Sequence, residues 1–391
     1  MKKIDFLLPA LVAASVANCG CNITSRLVQH SRSPTVTTSA RTSATRRSTG
    51  SADSTGSTQP IDKEYFAYGA HVREKFLKKD FAWVDQEAHK VRLSKERLPG
   101  GYWKLRALYG ALEEPPGGDK ASDGDWEDLL DDLASWSNQQ PNSVTAKVAL
   151  ASAWNGYAWK ARGDGYADSV SKTAWEVFGK RLASARQALS EASDLNERCP
   201  YWYQTALWVG IGQSWGREAL DKVFDAGEEM EPTFYYLYQT KATYLLPRWG
   251  GAEGEWERFA HDSALKLGGN QGDIVFFTIY SQMLMFHGME LMNTHQQDVP
   301  KLLAGFQSIE KLYGASAHRL NEAAFFSSSG NDVQATTQLF DRIGDDFDES
   351  VWRSKQTYEV FRQGNQLRAK SAAVQPQTGT QPAAKTAPRK N

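Results

Sequence analysis

The sequence contains little of what marks several familiar protein classes. Three cysteines in 391 residues are too few for a disulfide scaffold or a four-cysteine zinc module. The formal net charge of −1 excludes a nucleic-acid-binding protein that relies on overall positive charge. Walker loops, dinucleotide-binding fingerprints and zinc-binding cysteine spacings are absent, so we predict no cofactor, no metal and no catalytic residue.

The composition is that of a globular protein with basic ends. Apolar residues make up 41% and charged residues 23%, which excludes a wholly disordered, collagen-like or multi-span membrane protein. Residues 1–60 have a net charge of +5 and residues 360–391 one of +6. Because the whole chain has a net charge of −1, residues 61–359 have a net charge of −12. An acidic folded region repels polyanions over its surface, which again excludes nucleic acid as a partner.

The first residues have the features of an export signal. Two lysines precede the apolar stretch Phe6–Ala17, which is too short to span about 30 Å of hydrocarbon as a helix. Ordinary signal peptidase would cut before Asn18, whereas a bacterial lipobox would place a lipid on Cys19, and both routes stay open. We predict a signal peptide or lipoprotein signal over 1–21. The protein is then exported, and is either periplasmic or attached to the membrane through the lipid.

Two further segments are too polar to fold. Residues 22–60 are almost all Ser, Thr, Arg, Gly and Gln, and residues 371–391 are similarly polar. Such segments bury too little apolar surface to offset chain entropy, so we predict a disordered linker over 22–60 and a disordered tail over 371–391. The predicted folded domain is therefore 61–370.

The folded domain favours helices over strands. Between 61 and 370 it has 34 alanines and only 6 isoleucines. Glycine and proline clusters such as Pro99-Gly100-Gly101 separate the helices, and Asp123 and Asp125 are N-cap candidates for one of them. Apolar residues recur at helical spacing in four stretches: Trp126 to Trp136, Leu182 to Ala192, Leu302 to Leu312 and Ala335 to Ile343. We predict an all-α fold, with antiparallel helix pairs stacked as a tetratricopeptide-like α-solenoid.

One repeat is nearly visible in the sequence. Pro200 and Pro232 lie 32 residues apart and enclose two predicted helices, Tyr201 to Gly212 and Arg217 to Met230. A tetratricopeptide repeat has the same plan, with two helices in 34 residues and a closing proline.

Several segments resemble a known bacterial family. The stretch Leu245-Leu246-Pro247-Arg248-Trp249-Gly250-Gly251 resembles the hallmark of the family called domain of unknown function 4034. Supporting segments are Ala158 to Gly163, Trp136 to Pro141, Asn321 to Phe325 and Gly330 to Asp332. The resemblance covers most of 65–365 and implies a helical, tetratricopeptide-like fold. It implies no activity, so no catalytic residue is carried over.

One motif offers an alternative function. Gly212-Gln213-Ser214-Trp215-Gly216 matches the nucleophile-elbow pattern G-x-S-x-G of hydrolases, with an apolar stretch before it and a helix-like stretch after it. A hydrolase fold needs about eight strands around this serine, and we identify too few. We therefore keep an envelope hydrolase that uses this turn as the alternative function. Our main prediction for the motif is a glycine-flanked turn between two repeat helices.

Two histidine–glutamate pairs have helical spacing. His71 and Glu74, like His287 and Glu290, stand three residues apart, which places imidazole and carboxylate on one helix face. Carboxylate-bridged two-metal bundles use the reverse order and further glutamates, so we interpret both as surface or packing pairs.

Aromatic residues crowd into 201–249, and they are either core or a binding groove. Pro247 is predicted to end a helix that starts near Pro232, and two glycines that allow positive φ follow Trp249. Arg248 and Trp249 are thus either a structural motif or part of a partner-binding site. We predict a non-enzymatic helical-repeat protein that binds a protein or peptide partner in the bacterial envelope.

Overall fold

The computed structural model describes residues 62–163, 165 and 167–374. The predicted signal over 1–21 with Cys19, the linker over 22–60 and the last seventeen residues lie outside this part of the chain. Seventeen α-helices form within it. They are α1 Lys63–Leu77, α2 Phe81–Ser94, α3 Lys104–Gly110, α4 Asp123–Gln139, α5 Val144–Arg162, α6 Lys172–Ser193, α7 Pro200–Gly212, α8 Arg217–Met230, α9 Tyr236–Tyr244, α10 Glu255–Leu267, α11 Gly269–His287, α12 Glu290–Thr294, α13 Val299–Tyr313, α14 Ala317–Ser327, α15 Val333–Ile343, α16 Glu349–Trp352 and α17 Lys355–Val374.

The all-α prediction is confirmed, and the strands in the described residues are two short ones. β1, Arg97–Leu98, pairs antiparallel with β2, Tyr102–Trp103, and the 3₁₀ turn Pro99–Gly101 joins them. Helix α17 continues past the boundary predicted at 370, because Ala and Lys favour helix there and the first proline comes only at Pro376.

Local sequence explains where the helices begin. The Oγ atom of Ser122 accepts the Asp125 backbone N–H at 3.2 Å, and the Asp125 carboxylate accepts the Ser122 N–H at 2.7 Å. This capping box makes Ser122 the N-cap of α4, and the prediction of Asp123 or Asp125 as N-cap is wrong. Ser143, Ser171 and Ser316 cap α5, α6 and α14 in the same way, each accepting a backbone N–H three residues later.

The helices pack as stacked pairs, as expected for an α-solenoid. Helices α5, α7, α9 and α11 contact one another in succession, while α6, α8 and α10 pack against them. The predicted pair between Pro200 and Pro232 is confirmed as α7 and α8. The predicted apolar stripe of α4 is buried along its whole length, from Trp126 to Trp136. The buried side chains form one continuous core.

The β1–β2 hairpin joins parts of the solenoid that are distant in sequence. The Gly100 N–H donates to the Gly314 carbonyl at 3.0 Å, and the Arg319 Nε donates to the Gly100 carbonyl at 3.4 Å. The Trp103 indole N–H donates to the Thr233 carbonyl at 2.9 Å. The hairpin therefore links α3 to the α8–α9 turn and to α13 and α14. Pro99-Gly100-Gly101 is therefore the predicted helix break and also binds the turn after α13 and the start of α14.

Among residues 62–163, 165 and 167–374, no helix combines the length and the apolar character needed to cross a lipid bilayer.

Candidate functional site

A cleft of about 580 Å³ lies where the carboxyl ends of α5, α7 and α9 meet the start of α6. Of its thirteen described lining residues six are aromatic, two are arginines and none is acidic. It consists of Trp159, Arg162, Gly165, Ala167, Trp175, Phe178, Ile211, Gly212, Ser214, Trp215, Tyr244, Arg248 and Trp249. We call this feature the tryptophan cleft.

Trp159 is the centre of the aromatic wall. Its ring meets Trp249, Trp208 and Phe178 edge to face, at centroid distances of 5.6, 6.0 and 5.1 Å. These are favourable arrangements for aromatic rings, because the positive edge of one ring faces the negative face of the other. The indole N–H groups of Trp159 and Trp249 are buried and have no hydrogen-bond acceptor in the described structure.

Arg162 lies among three indole rings. Its guanidinium carbon is 5.5 Å from the ring centroids of Trp159, Trp175 and Trp249, so the cation interacts with all three. Its Nη1 donates to the carbonyl oxygens of Gly163 and Gly165, at 2.9 and 3.1 Å. For the described residues no hydrogen bond involves its Nε or Nη2, which leaves one edge of the planar guanidinium available.

Arg248 supplies the second positive charge of the cleft. Its guanidinium carbon lies 4.4 Å from the Phe286 ring centroid, and its side chain is exposed. No carboxylate of the described residues forms an ion pair with Arg162 or Arg248. The cleft therefore combines aromatic walls with two cations that form no ion pair within the described part of the chain.

The turn around Trp249 explains the glycines that follow it. Helix α9 ends at Tyr244, three residues before Pro247, and the N–H groups of Gly250 and Gly251 both donate to the Leu246 carbonyl. Gly250 has the predicted positive φ, +148°. Gly251 does not have one. A Cβ there would lie 1.8 Å from the Leu245 carbonyl oxygen, so close backbone approach requires that glycine.

Trp249 is half-buried at the cleft wall, and the aromatic residues of 201–249 divide into two groups. Tyr201, Phe234, Tyr235 and Tyr238 are buried in the core. Trp215, Tyr244 and Trp249 line the cleft. The segment is therefore partly core and partly cleft wall, and Tyr244 belongs to both. A binding role for the cleft residues stays a prediction.

Ser214 occupies a helix-ending turn. The Trp215 N–H donates to the Gly210 carbonyl at 2.8 Å and the Ser214 N–H to the Ile211 carbonyl at 3.1 Å. This pair of bonds is a Schellman motif, in which Ser214 takes the left-handed position with φ +55°. A helix precedes the serine where a nucleophile elbow needs a strand, and among the described residues no histidine is hydrogen-bonded to it.

The other chemistry-bearing residues lie apart from the cleft. His71 and Glu74 form an ion pair of 3.7 Å on the exposed face of α1. His287 ends α11 and Glu290 begins α12, so the predicted pair does not share one helix. Within the described part of the chain, no group of three or more His, Cys, Asp or Glu is placed to hold a metal ion.

The Asn321–Phe325 segment contributes a buried ionic cluster in α14. Arg319 Nη1 is 2.8 Å from a Glu322 carboxylate oxygen, and His318 Nε2 is 3.2 Å from the other. Burial would raise the pKa of Glu322, but the adjacent Arg319 and His318 overcome this and lower it to about 2. Desolvation lowers the pKa of half-buried His318, but the same carboxylate and Asp348 overcome this and raise it to about 10.

Searches against protein-family models, curated proteins and solved structures found no significant match to this chain. The similarity to domain of unknown function 4034 stays a prediction that rests on the quoted segments. Two of these segments, Ala158–Gly163 and Leu245–Gly251, meet at the tryptophan cleft. Their convergence is not visible in the sequence, because nothing in a single sequence shows that α5 and α9 end side by side.

Proposed function

We propose that this chain is a non-enzymatic, exported helical-repeat protein of the bacterial envelope, related to domain of unknown function 4034. In this proposal it binds a protein or peptide partner at the tryptophan cleft. The observation that carries the proposal is the placement of Arg162 among indole rings and of Arg248 at the rim, at the ends of three stacked helices. Neither arginine forms an ion pair with a carboxylate of the described residues.

The types of residue that line the tryptophan cleft support the binding of a protein or peptide partner there. Tryptophan and arginine dominate the binding energy of protein interfaces, since each offers a large contact area together with a directed donor. Neither Arg162 nor Arg248 forms an ion pair with a carboxylate of the described residues, whereas Arg217, which lies over the ring of cleft residue Tyr244, pairs with Glu255 at 2.7 Å.

A non-enzymatic role is supported by the turn at Ser214. Its hydroxyl follows the end of α7, and the left-handed backbone is explained by the Schellman motif alone. Export is supported by the signal-like segment over 1–21, and membrane attachment would follow from a lipid on Cys19.

Site-specific photocrosslinking in bacterial cells identifies the partner. A photoreactive residue replaces Arg248, and the control replaces Arg198, which is exposed elsewhere. We expect a discrete crosslinked partner from position 248 that is absent from position 198. Identical products from both positions, or none from either, would contradict the proposal.

The affinity of the purified partner is then measured with Trp249→Ala and Arg248→Ala. Trp202→Ala is the matched control, because Trp202 is also half-buried but lies outside the cleft. We expect both cleft variants to weaken binding about tenfold or more, as hot-spot residues do, and the control to bind normally. Arg248→Ala should keep its free energy of unfolding within about 0.5 kcal/mol, so that lost binding cannot be ascribed to unfolding.

A further inference from the structure

The polar groups that the tryptophan cleft leaves unengaged are mainly donors. They are the Nε–Nη2 edge of Arg162 and the guanidinium of Arg248, whereas the indole N–H groups of Trp159 and Trp249 are buried away from solvent. The other two indoles of the lining are engaged, Trp175 with the Ala167 carbonyl and Trp215 with Gln213. A complementary ligand must therefore supply acceptors.

The position that would suit a cation is already occupied. Carbonyl ends of helices and faces of indole rings both attract positive charge, and the cleft brings together the ends of α5, α7 and α9. Arg162 fills that position, because its Nη1 donates to two carbonyls just past the end of α5 while three rings surround its guanidinium. An additional cation would meet both Arg162 and Arg248, so the remaining charge complement is an anion.

The free edge of Arg162 determines which anion fits. The Nε and Nη2 donors of a guanidinium point the same way in one plane, and they match the two oxygens of a planar carboxylate. The surrounding walls are aromatic, so the group that bears the carboxylate must be apolar or aromatic to replace water favourably. A volume of about 580 Å³ is that of a pocket for a small ligand or for one or two side chains.

We infer that the tryptophan cleft recognises a carboxylate attached to an aromatic or large apolar group. The inference rests on the proposed function, and in a peptide partner such a group is an acidic or C-terminal residue beside an aromatic side chain. Arg162 would bind the carboxylate through its Nε–Nη2 edge, Arg248 would add charge from the rim, and the indole rings would contact the apolar group.

The test compares two small probes of nearly the same shape, which differ in the charge and the hydrogen-bonding groups at one end. N-acetylphenylalanine carries the carboxylate, and N-acetylphenylalaninamide replaces it with a neutral amide of the same shape. Both are titrated against the full processed chain by ligand-observed nuclear magnetic resonance. We expect the acid to bind about tenfold tighter than the amide, the effect of one or two charge-assisted hydrogen bonds.

Three variants assign the effect to the cleft. Arg162→Gln and Arg248→Gln should each weaken the acid severalfold and leave the amide unchanged. Arg258→Gln, which removes one exposed arginine of α10 outside the lining, should change neither probe. Because Arg248 is exposed, its variant should fold even if Arg162→Gln does not.

Several results would overturn the inference. They are equal affinities for acid and amide, full acid binding by both cleft variants, tighter binding of phenyl phosphate than of the acid, or binding of benzyltrimethylammonium. Failure here is distinguishable from failure of the proposed function. A partner that crosslinks at position 248 although the probes bind equally refutes only the carboxylate, whereas arginine-dependent acid binding without any partner refutes only the interaction role.

Discussion

Replacing Gly100 with alanine tests whether the β1–β2 hairpin holds the solenoid together. Gly100 has φ +79° and ψ 6°, and an added Cβ would lie 2.6 Å from the Ser316 Oγ and 2.8 Å from the Tyr102 ring. Gly254 has nearly the same backbone, φ +73° and ψ 6°, but its added Cβ would meet only the flexible end of Arg258, at 3.2 Å. Comparing the two variants separates the backbone cost from the packing cost.

Both variants force alanine into the left-handed region, which costs about 1–2 kcal/mol. Gly100→Ala also overpacks a docked contact, which costs about 1–3 kcal/mol more. We therefore expect the free energy of unfolding to fall by about 1–2 kcal/mol in Gly254→Ala and by about 2–5 kcal/mol in Gly100→Ala. Urea unfolding followed by circular dichroism at 25 °C measures both values.

A second substitution checks the cause of the difference. Ser316→Gly removes the two nearest atoms that the new methyl group would meet and leaves the contact with the Tyr102 ring. As an N-cap, glycine costs only a few tenths of a kcal/mol relative to serine. Combined with Gly100→Ala, it should recover about 1 kcal/mol or more through a favourable coupling energy. Equal losses in Gly100→Ala and Gly254→Ala, with no coupling to Ser316, would refute the docking of the hairpin.

Three further predictions address other parts of the chain. Ser214→Gly should raise the free energy of unfolding by about 1 kcal/mol, because glycine tolerates φ +55°. A serine-hydrolase activity probe should not label the parent protein. Labelling that Ser214→Ala abolishes would restore the enzyme hypothesis. The lowered pKa of Glu322 means that its contribution to stability is complete above its ordinary pKa of 4.5 and is lost as pH falls toward 2. Glu322→Gln should therefore flatten this acid dependence in urea unfolding, and an unchanged pH profile would contradict the assignment. At pH 7 it should cost about 3–5 kcal/mol because buried Arg319 loses its carboxylate partner, whereas His318 keeps Asp348. Intact-mass analysis should find the exported chain starting at Asn18 or Cys19, and labelled fatty acid should be incorporated only if Cys19 is the anchor; an intact Met1 would refute export.

Local signals in the sequence located the helices well. Pro200 at the first position of α7, the glycine-rich turn before Arg217 and the proline after Met230 set the bounds of α7 and α8 nearly to the residue. These signals act within a few residues of the chain, so one sequence contains them completely.

The contacts of the hairpin and the tryptophan cleft could not be predicted from such local signals. In the sequence Gly100 looks like an ordinary helix break. The residue that requires a glycine there, Ser316, lies more than two hundred residues away. Trp159 and Trp249 belong to two segments that support one family resemblance, and Trp215 belongs to the G-x-S-x-G motif. Only the stacking of α5, α7 and α9 brings their side chains to one cleft, and that stacking depends on the packing of the whole domain.

The hairpin also limits how this architecture can change in evolution. In an open repeat protein each unit contacts only its neighbours, so duplication or deletion of a unit lengthens or shortens the array without disturbing the rest. Here the hydrogen bond from Gly100 to Gly314 fixes the distance that the intervening helices must span. Adding or removing one helix pair between α3 and α13 would separate these two residues. We therefore expect relatives with this hairpin to keep the same number of helices between them, and to vary in loops and ends instead.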